Sequence, residues 1–85
     1  MFDTVQLMAP TTQPQLALGA AIRRLREKRG DTQEALASKA GITLSTLSVI
    51  ERGRANPTWG TVRRIAAALE APMGELGKLA EKLEK

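Results

Sequence analysis

Residues 32–53 constrain the fold of this chain more than any other stretch. The segment holds two short runs with apolar residues at helical spacing, which open at Thr32 and Thr43 and are joined at Gly41. A threonine before a helix caps it, because its hydroxyl accepts a hydrogen bond from a free N–H of the first turn. Ala37 is small enough to let a second helix cross closely. The segment therefore predicts two short crossing helices that share one core.

This layout is that of a helix-turn-helix, a motif whose second helix enters the DNA major groove. The pattern predicts its first helix at residues 33–40 and its second at 44–52, with Gly53 as the stop. The side chains expected to face the core are Leu36, Ala37, Ala40, Ile42, Leu47 and Ile50. The outward face of the second helix would carry Leu44, Ser45, Thr46, Ser48 and Val49.

Three further helices are predicted around the motif, which gives an all-α fold of five helices. They cover residues 16–29, residues 59–69 after a cap at Thr58, and residues 71–84 with Pro72 in the first turn, where its missing N–H costs nothing. Their apolar stripes are Leu18, Ile22 and Leu25; Val62, Ile65, Ala66 and Leu69; and Met73, Leu76, Leu79, Ala80 and Leu83.

The chain of 85 residues is expected to form one domain. Residues 1–15 carry two prolines and no basic residue, which predicts a flexible N-terminal arm that could dock on a partner subunit. Residues 16–77 would form the helix-turn-helix domain and residues 78–85 a C-terminal helical extension. So short a chain has no room for a sensor domain, so control is expected through concentration, dimerisation or a partner protein.

The composition points away from catalysis. The chain has no His and no Cys, and its only aspartates are Asp3 and Asp31. Without His and Cys, the usual general base and the usual zinc ligands are missing, so we expect no enzyme activity, no metal and no cofactor. With neither a membrane-spanning run nor a signal peptide, we expect a cytoplasmic protein and no membrane partner.

The positive charge is concentrated in the central part of the chain. The net charge is +4, yet residues 16–64 carry ten Lys and Arg against four Asp and Glu. A basic surface centred on a helix-turn-helix is typical of phosphate binding. The alternative from charge alone is an ordinary solvated helix face.

Several motifs in register resemble the lambda-repressor-like, or Xre/Cro, helix-turn-helix family over residues 16–76. They are Leu25-Arg26, Thr-Gln-Glu at 32–34, Ala37, Gly41, Ile-Glu-Arg-Gly at 50–53, Asn56-Pro57-Thr58, and Ala68-Leu69 leading to Glu75-Leu76. The resemblance implies double-stranded DNA as the partner. It also implies a partly buried ion pair between Arg26 and Glu51, for which the structural role of Arg26 is the favoured one.

The resemblance also implies two groups of DNA-contacting residues. Contacts to the DNA backbone would come from Thr32, Gln33, Arg52, Arg54, Asn56, Gly60 and Thr61. Base readout would come from Thr43, Leu44, Ser45, Thr46, Ser48 and Val49.

The chain departs from the family pattern at three places. Leu44 and Val49 stand where relatives often carry Gln, Arg or Lys, so no side chain on this face can make the bidentate contacts that identify guanine or adenine. We therefore expect modest direct readout supplemented by DNA shape. Glu70 stands where relatives usually have Gly, and a left-handed Glu there would be mildly strained.

The sequence alone does not determine which residues form the dimer interface. The first interpretation of Trp59 is core packing with the fourth helix, and the alternative is a place in the interface. The candidates for the interface are Trp59, Met73, Leu76, Leu79 and Leu83.

Two functions are compatible with these features. The first is a small stand-alone DNA-binding regulator, in its simplest form a repressor that binds a pseudo-palindromic operator as a homodimer. The alternative is an antitoxin-like or other protein-interaction module on the same fold, because the aliphatic outward face could bind a protein partner.

Overall fold

The computed structural model describes residues 12–84, which form five helices and no strand within that range. The helices are α1 (Gln13–Arg29), α2 (Gln33–Ala40), α3 (Leu44–Glu51), α4 (Trp59–Ala68) and α5 (Met73–Leu83). The predicted all-α fold is thus confirmed. None of these helices is long and apolar enough to cross a lipid bilayer.

Helix α1 begins three residues earlier than predicted. The Thr12 hydroxyl accepts the Gln15 N–H at 3.4 Å, and the Gln15 side-chain oxygen accepts the Thr12 N–H at 3.2 Å. This reciprocal capping satisfies two backbone donors, and Pro14 suits the first turn because its φ angle is already helical. Residues 13–15 of the predicted arm are therefore helical, whereas residues 1–11 lie outside the described residues.

Helix α2 has the predicted bounds, whereas the ends of α3 and α4 and both ends of α5 differ by one or two residues from those predicted. Helix α5 starts at Met73 because Pro72 has an extended backbone (φ −61°, ψ 146°) and lies at the position before the helix. Arg52 and Leu69 are the residues that follow α3 and α4, rather than the last residues within them.

One core joins all five helices. Helix α1 packs between α3 and α5, while α2 packs on α3 and α4, and α4 also contacts α5. The buried apolar residues are Ala21, Ile22, Leu36, Ala37, Ala40, Leu47, Ile50, Val62, Ile65, Ala66, Leu69 and Leu76. Leu79 and Leu83, which were candidates for the dimer interface, are half-buried against this core.

The crossing of α1 and α3 depends on Gly19, a residue that the sequence pattern did not single out. A Cβ atom at this position would overlap the carbonyl oxygen of Ile50 and lie 2.6 Å from that of Glu51. Because these are backbone atoms, they cannot rotate away. The absence of a side chain at Gly19 therefore sets how closely α3 approaches α1.

The first four helices end in the same way. Each is followed by a left-handed residue whose N–H bonds to the carbonyl three residues back, while the next N–H bonds to the carbonyl five residues back. The left-handed residues are Gly30, Gly41, Gly53 and Glu70. Glu70, with φ 56°, is the one non-glycine residue with positive φ in the described range, as the family comparison led us to expect.

Replacing Gly19 with Ala should destabilise the fold. The new methyl group must push α3 away from α1, so we expect the free energy of unfolding to fall by about 1–3 kcal/mol in urea denaturation. The matched control is Gly77→Ala in α5, where a Cβ meets nothing within 4 Å. That change should raise the unfolding free energy by about 0.5–1 kcal/mol, because Ala has the higher helix propensity. If Gly19→Ala raised the unfolding free energy as much as Gly77→Ala does, the close approach of α3 to α1 at Gly19 would be contradicted.

Candidate nucleic-acid interface

Helix α3 begins at a pair of linked threonines. The Thr43 hydroxyl accepts the Thr46 N–H at 3.0 Å and donates to the Thr46 hydroxyl oxygen at 2.8 Å. The Thr43 proton is thereby used within the protein, whereas Thr46 keeps its own hydroxyl proton for an outside acceptor. Of these two predicted base-reading residues, Thr46 is the better placed to donate to a base edge.

The outward face of α3 has an exposed first turn and a less accessible second turn. Leu44 is 42% exposed, and Ser45 and Thr46 are also exposed. Ser48 and Val49 are half-buried. The accessible base-reading candidates therefore lie in the first turn of α3, which offers a methyl-rich side chain and two hydroxyl groups.

An ion pair attaches α3 to α1. The Arg26 guanidinium donates from Nε to Glu51 Oε2 at 2.7 Å and from Nη2 to Glu51 Oε1 at 3.0 Å, the two-point geometry that is strongest for such pairs. The Glu51 side chain is only 2% exposed. A third Arg26 bond, from Nη1 to the Asp31 carbonyl at 2.9 Å, fixes the turn between α1 and α2.

Hydrogen bonding to Glu51 raises the pKa of Arg26 above its ordinary value, and this outweighs burial, which lowers it. The raised pKa favours the charged form of the Arg26 guanidinium, which an arginine keeps throughout the physiological pH range.

Gln33 belongs to the same cluster. Its Nε2 donates to Glu51 Oε1 at 2.9 Å, so α2 is attached to α3 through the carboxylate that also binds α1. The family resemblance assigned Gln33 to phosphate contact. It gave no indication of this bond, because the bond joins residues 18 positions apart. The bond uses one of the two protons on the Gln33 amide nitrogen, so only the second proton is left to donate to a phosphate.

The predicted backbone-contacting residues surround the exposed face of α3. Arg52, Arg54, Asn56 and Gly60 are exposed, as is Thr32 at the start of α2. Within residues 12–84, neither Arg52 nor Arg54 forms an ion pair. These two cations are therefore available to an external anion.

The backbone N–H of Thr61 is less available than the family resemblance implied, although its hydroxyl, like that of Thr46, keeps its own proton. Its N–H donates to the Thr58 hydroxyl at 3.1 Å, and its own hydroxyl accepts from Thr58 at 3.0 Å. Thr58 thus caps α4 as Thr43 caps α3. The exposed backbone of Gly60 is the more accessible donor at this helix start.

Trp59 is not a core residue, contrary to the first interpretation of the sequence. It is 68% exposed and stands beside an apolar groove of about 490 Å³. The groove is lined by Leu18, Trp59, Val62, Met73, Gly74, Leu76 and Gly77. Position 59 is the first residue of α4, where the side chain lies outside the inward stripe that starts at Val62.

The other interface candidates divide between core and surface. Leu76 is 1% exposed and belongs to the core, where it also forms part of the floor of the groove. Met73 borders the groove beside Trp59. Leu79 instead lies in a different groove between α1 and α5, and Leu83 is half-buried.

A family model described as a helix-turn-helix domain matches residues 17–79, which is most of the chain. The chain belongs to the helix-turn-helix family. Within it, the protein is of the lambda-repressor-like (Xre) type and is a DNA-binding transcriptional regulator, as the sequence pattern predicted.

Curated relatives are regulators of bacteria, archaea and phage. An uncharacterised HTH-type transcriptional regulator of Sinorhizobium fredii is 41% identical over 59 residues, which cover 69% of this chain and 77% of the relative. The immunity repressor protein of Bacillus phage phi105 is 41% identical over 54 residues, 64% of this chain and 38% of the repressor. The chain spans only about a quarter (24%) of a longer Mycobacterium tuberculosis relative.

Solved structures show the same fold over nearly the whole described range. The clp gene regulator ClgR of Corynebacterium glutamicum superposes with a TM-score of 0.84 at 30% identity, covering 91% of this chain and 99% of ClgR. The restriction-modification controller protein C.AhdI of Aeromonas hydrophila gives a TM-score of 0.71 at 32% identity, covering 73% and 94%.

Removing Glu51 should cost far more than breaking an exposed ion pair. In Glu51→Ala the Arg26 guanidinium stays largely buried without its partner, so we expect the unfolding free energy to fall by about 3–5 kcal/mol. Arg23→Ala is the control, because its ion pair with Glu27 is more than half exposed on both sides and should be worth less than about 1 kcal/mol. Thermal and urea unfolding measure both, and similar losses would contradict the structural role of the buried pair.

Proposed function

We propose that this protein is a transcriptional repressor that binds a pseudo-palindromic operator as a homodimer in the cytoplasm. The observation that carries the proposal is the exposed first turn of α3 with Arg52 and Arg54 beside it, neither of which forms an ion pair within residues 12–84. In this arrangement α3 enters the major groove and the surrounding residues hold the phosphates on either side.

Phosphate contacts would fix the position of the protein on DNA. Arg52 and Arg54 supply exposed charges next to α3, and the exposed helix starts at Thr32 and Gly60 supply backbone N–H groups. Helix N-termini favour anions because their first N–H groups lack partners within the helix and the helix dipole is positive there. These contacts give affinity without sequence preference.

Base readout would come from Leu44, Ser45 and Thr46. Leu44 can pack on a thymine methyl group, and the hydroxyls can donate to the acceptors of a base edge. Each such contact discriminates less than a bidentate pair does, so the deformability of the operator would supply part of the specificity.

The names of related proteins agree with repression. The Bacillus phage relative is called an immunity repressor, and the structural neighbour from Aeromonas hydrophila is a controller protein of a restriction-modification system. One name is that of a repressor and the other that of a controller, and repression is the role we propose for this chain.

Dimerisation would use the apolar groove beside Trp59. A large exposed aromatic next to an apolar groove is costly in water and is typical of interface anchors. In a two-fold dimer the same surface of each copy meets its counterpart, and two copies of α3 would lie about 34 Å apart, one turn of the double helix.

A second candidate function is a protein-interaction module on the same fold. The observation that favours it is Leu44, an exposed aliphatic residue on the face where DNA-reading side chains are expected to be polar. A protein partner would then cover this face in place of DNA.

Selection of binding sites from a random duplex pool at two salt concentrations tests the two candidates. A palindromic motif with half-sites about ten base pairs apart supports the dimeric regulator. The variant Leu44→Ala should then change the selected motif at one or two positions per half-site. Weak binding with no motif would contradict the proposal and favour the protein-interaction module.

The arginines next to α3 should contribute to affinity on every sequence alike. In Arg52→Ala and Arg54→Ala, each lost phosphate contact should lower the slope of log K against log salt by about 0.9. Lys82→Ala is the control, because it removes an exposed cation from α5, which packs on the other side of α1 from α3. If the salt dependence of DNA binding is unchanged in the arginine variants, Arg52 and Arg54 do not contact phosphates.

Loss of the Trp59 ring should weaken the dimer. We expect Trp59→Ala to cost about 2 kcal/mol or more of association free energy, which is typical of a buried aromatic anchor. Sedimentation equilibrium measures the change. Leu44→Ala, which shortens another exposed apolar side chain on a different face, should leave the dimer unchanged. Equal dimer constants for the wild type and Trp59→Ala would place the interface elsewhere.

A further inference from the structure

A second groove lies between α1 and α5 and is unlike the groove beside Trp59. Its volume is about 510 Å³, and it is lined by Arg24, Leu25, Lys28, Glu75, Lys78, Leu79 and Lys82. Four of these residues are cations and one is a carboxylate, a net charge of +3. The two leucines are half-buried and pack on the core, so they form an apolar floor. One charged wall of the groove is formed by Arg24 and Lys28 of α1, and the other by Lys78 and Lys82 of α5.

The four cations of this groove are not neutralised by ion pairs within the described part of the molecule, although the carboxylate of Glu75 also lines it. None of Arg24, Lys28, Lys78 and Lys82 forms an ion pair, although five ion pairs occur elsewhere in residues 12–84. In each wall the two cations are four residues apart, a spacing at which like charges repel along a helix. The arrangement is therefore unfavourable for the isolated chain and would be relieved by an anionic ligand.

The groove faces away from the proposed DNA interface. Arg26 points from α1 towards Glu51 of α3, and the residues two positions before and after it lie roughly 160° around the helix from it. These residues are Arg24 and Lys28. The face of α1 that meets α3 is therefore opposite to the one that lines the groove, and a duplex held by α3 would lie away from the groove.

We infer that this groove binds an acidic amphipathic helix of another protein. The apolar floor of Leu25 and Leu79 separates the site from a simple phosphate-binding surface, which needs no apolar contact. One turn separates the cations within each wall, and this matches carboxylates placed four residues apart on a partner helix. The partner would lay an apolar stripe on the two leucines and carboxylates against both walls, as amphipathic helices do in other grooves.

The probe is a fluorescent synthetic peptide of about five helical turns, with leucines along one face and glutamates on both flanks. A scrambled peptide of the same composition keeps the charge but lacks the apolar stripe. We expect the full-length protein to bind the patterned peptide at least ten times more tightly than the scrambled one. The methyl resonances of Leu25 and Leu79 should shift in NMR spectra, whereas those of Leu44 should not.

Matched double variants locate the binding. Lys78→Ala with Lys82→Ala should weaken peptide binding at least tenfold. Arg63→Ala with Arg64→Ala removes the same charge from exposed positions on α4 and should change it less than twofold. Equal loss in both variants, or equal affinity for the two peptides, would reduce the effect to general charge attraction and overturn the inference.

A duplex titration tests the main alternative, which is that the groove binds DNA. The Lys78→Ala, Lys82→Ala variant should bind duplex DNA with the affinity and salt slope of the wild type. A lower salt slope in this variant would make the groove a DNA surface and overturn the inference. Failure of the peptide to bind at all would also overturn it, and the DNA-binding function proposed above would stand in that case.

Discussion

The arrangement of this molecule depends on one carboxylate, that of Glu51. It is almost fully buried at the end of α3 and accepts two N–H groups from Arg26 of α1 and one from Gln33 of α2. A buried charge is tolerated only when its partners satisfy it, so these bonds restrict the relative placement of three helices. Gly19 removes the steric obstacle at the same crossing. The angle at which α3 projects from the domain therefore follows from charge satisfaction and close backbone contact together.

Most of the fold could be predicted from sequence because its signals are local. Threonine caps, glycine stops and apolar stripes gave all five helices and almost all of the buried residues, and each signal acts within a few positions along the chain. The start of α1 was missed because Pro14 and its neighbours look like a loop, although Gln15 completes a cap with Thr12. Reciprocal capping of this kind is visible in the sequence once it is sought.

The parts of the site that escaped prediction are those that depend on distant partners. Whether Trp59 is buried depends on how α4 meets α1 and α5, and no local pattern determines that. The bond from Gln33 to Glu51 and the need for Gly19 likewise arise from contacts between separate helices. Family resemblance supplied the Arg26–Glu51 pair, since an ion pair between residues 25 positions apart leaves no local mark. Residue types alone could not have identified it.

The exposed face of α3 carries no charge, while the cations lie beside it. In the proposed complex this separates two quantities that respond differently to salt. Counterions are released where cations meet phosphates, and that happens equally on operator and on other DNA. Contacts of Leu44, Ser45 and Thr46 with bases release none. A change in ionic strength would then alter how much DNA the protein occupies without altering its preference among sites, so the ratio of specific to non-specific affinity would be nearly independent of salt.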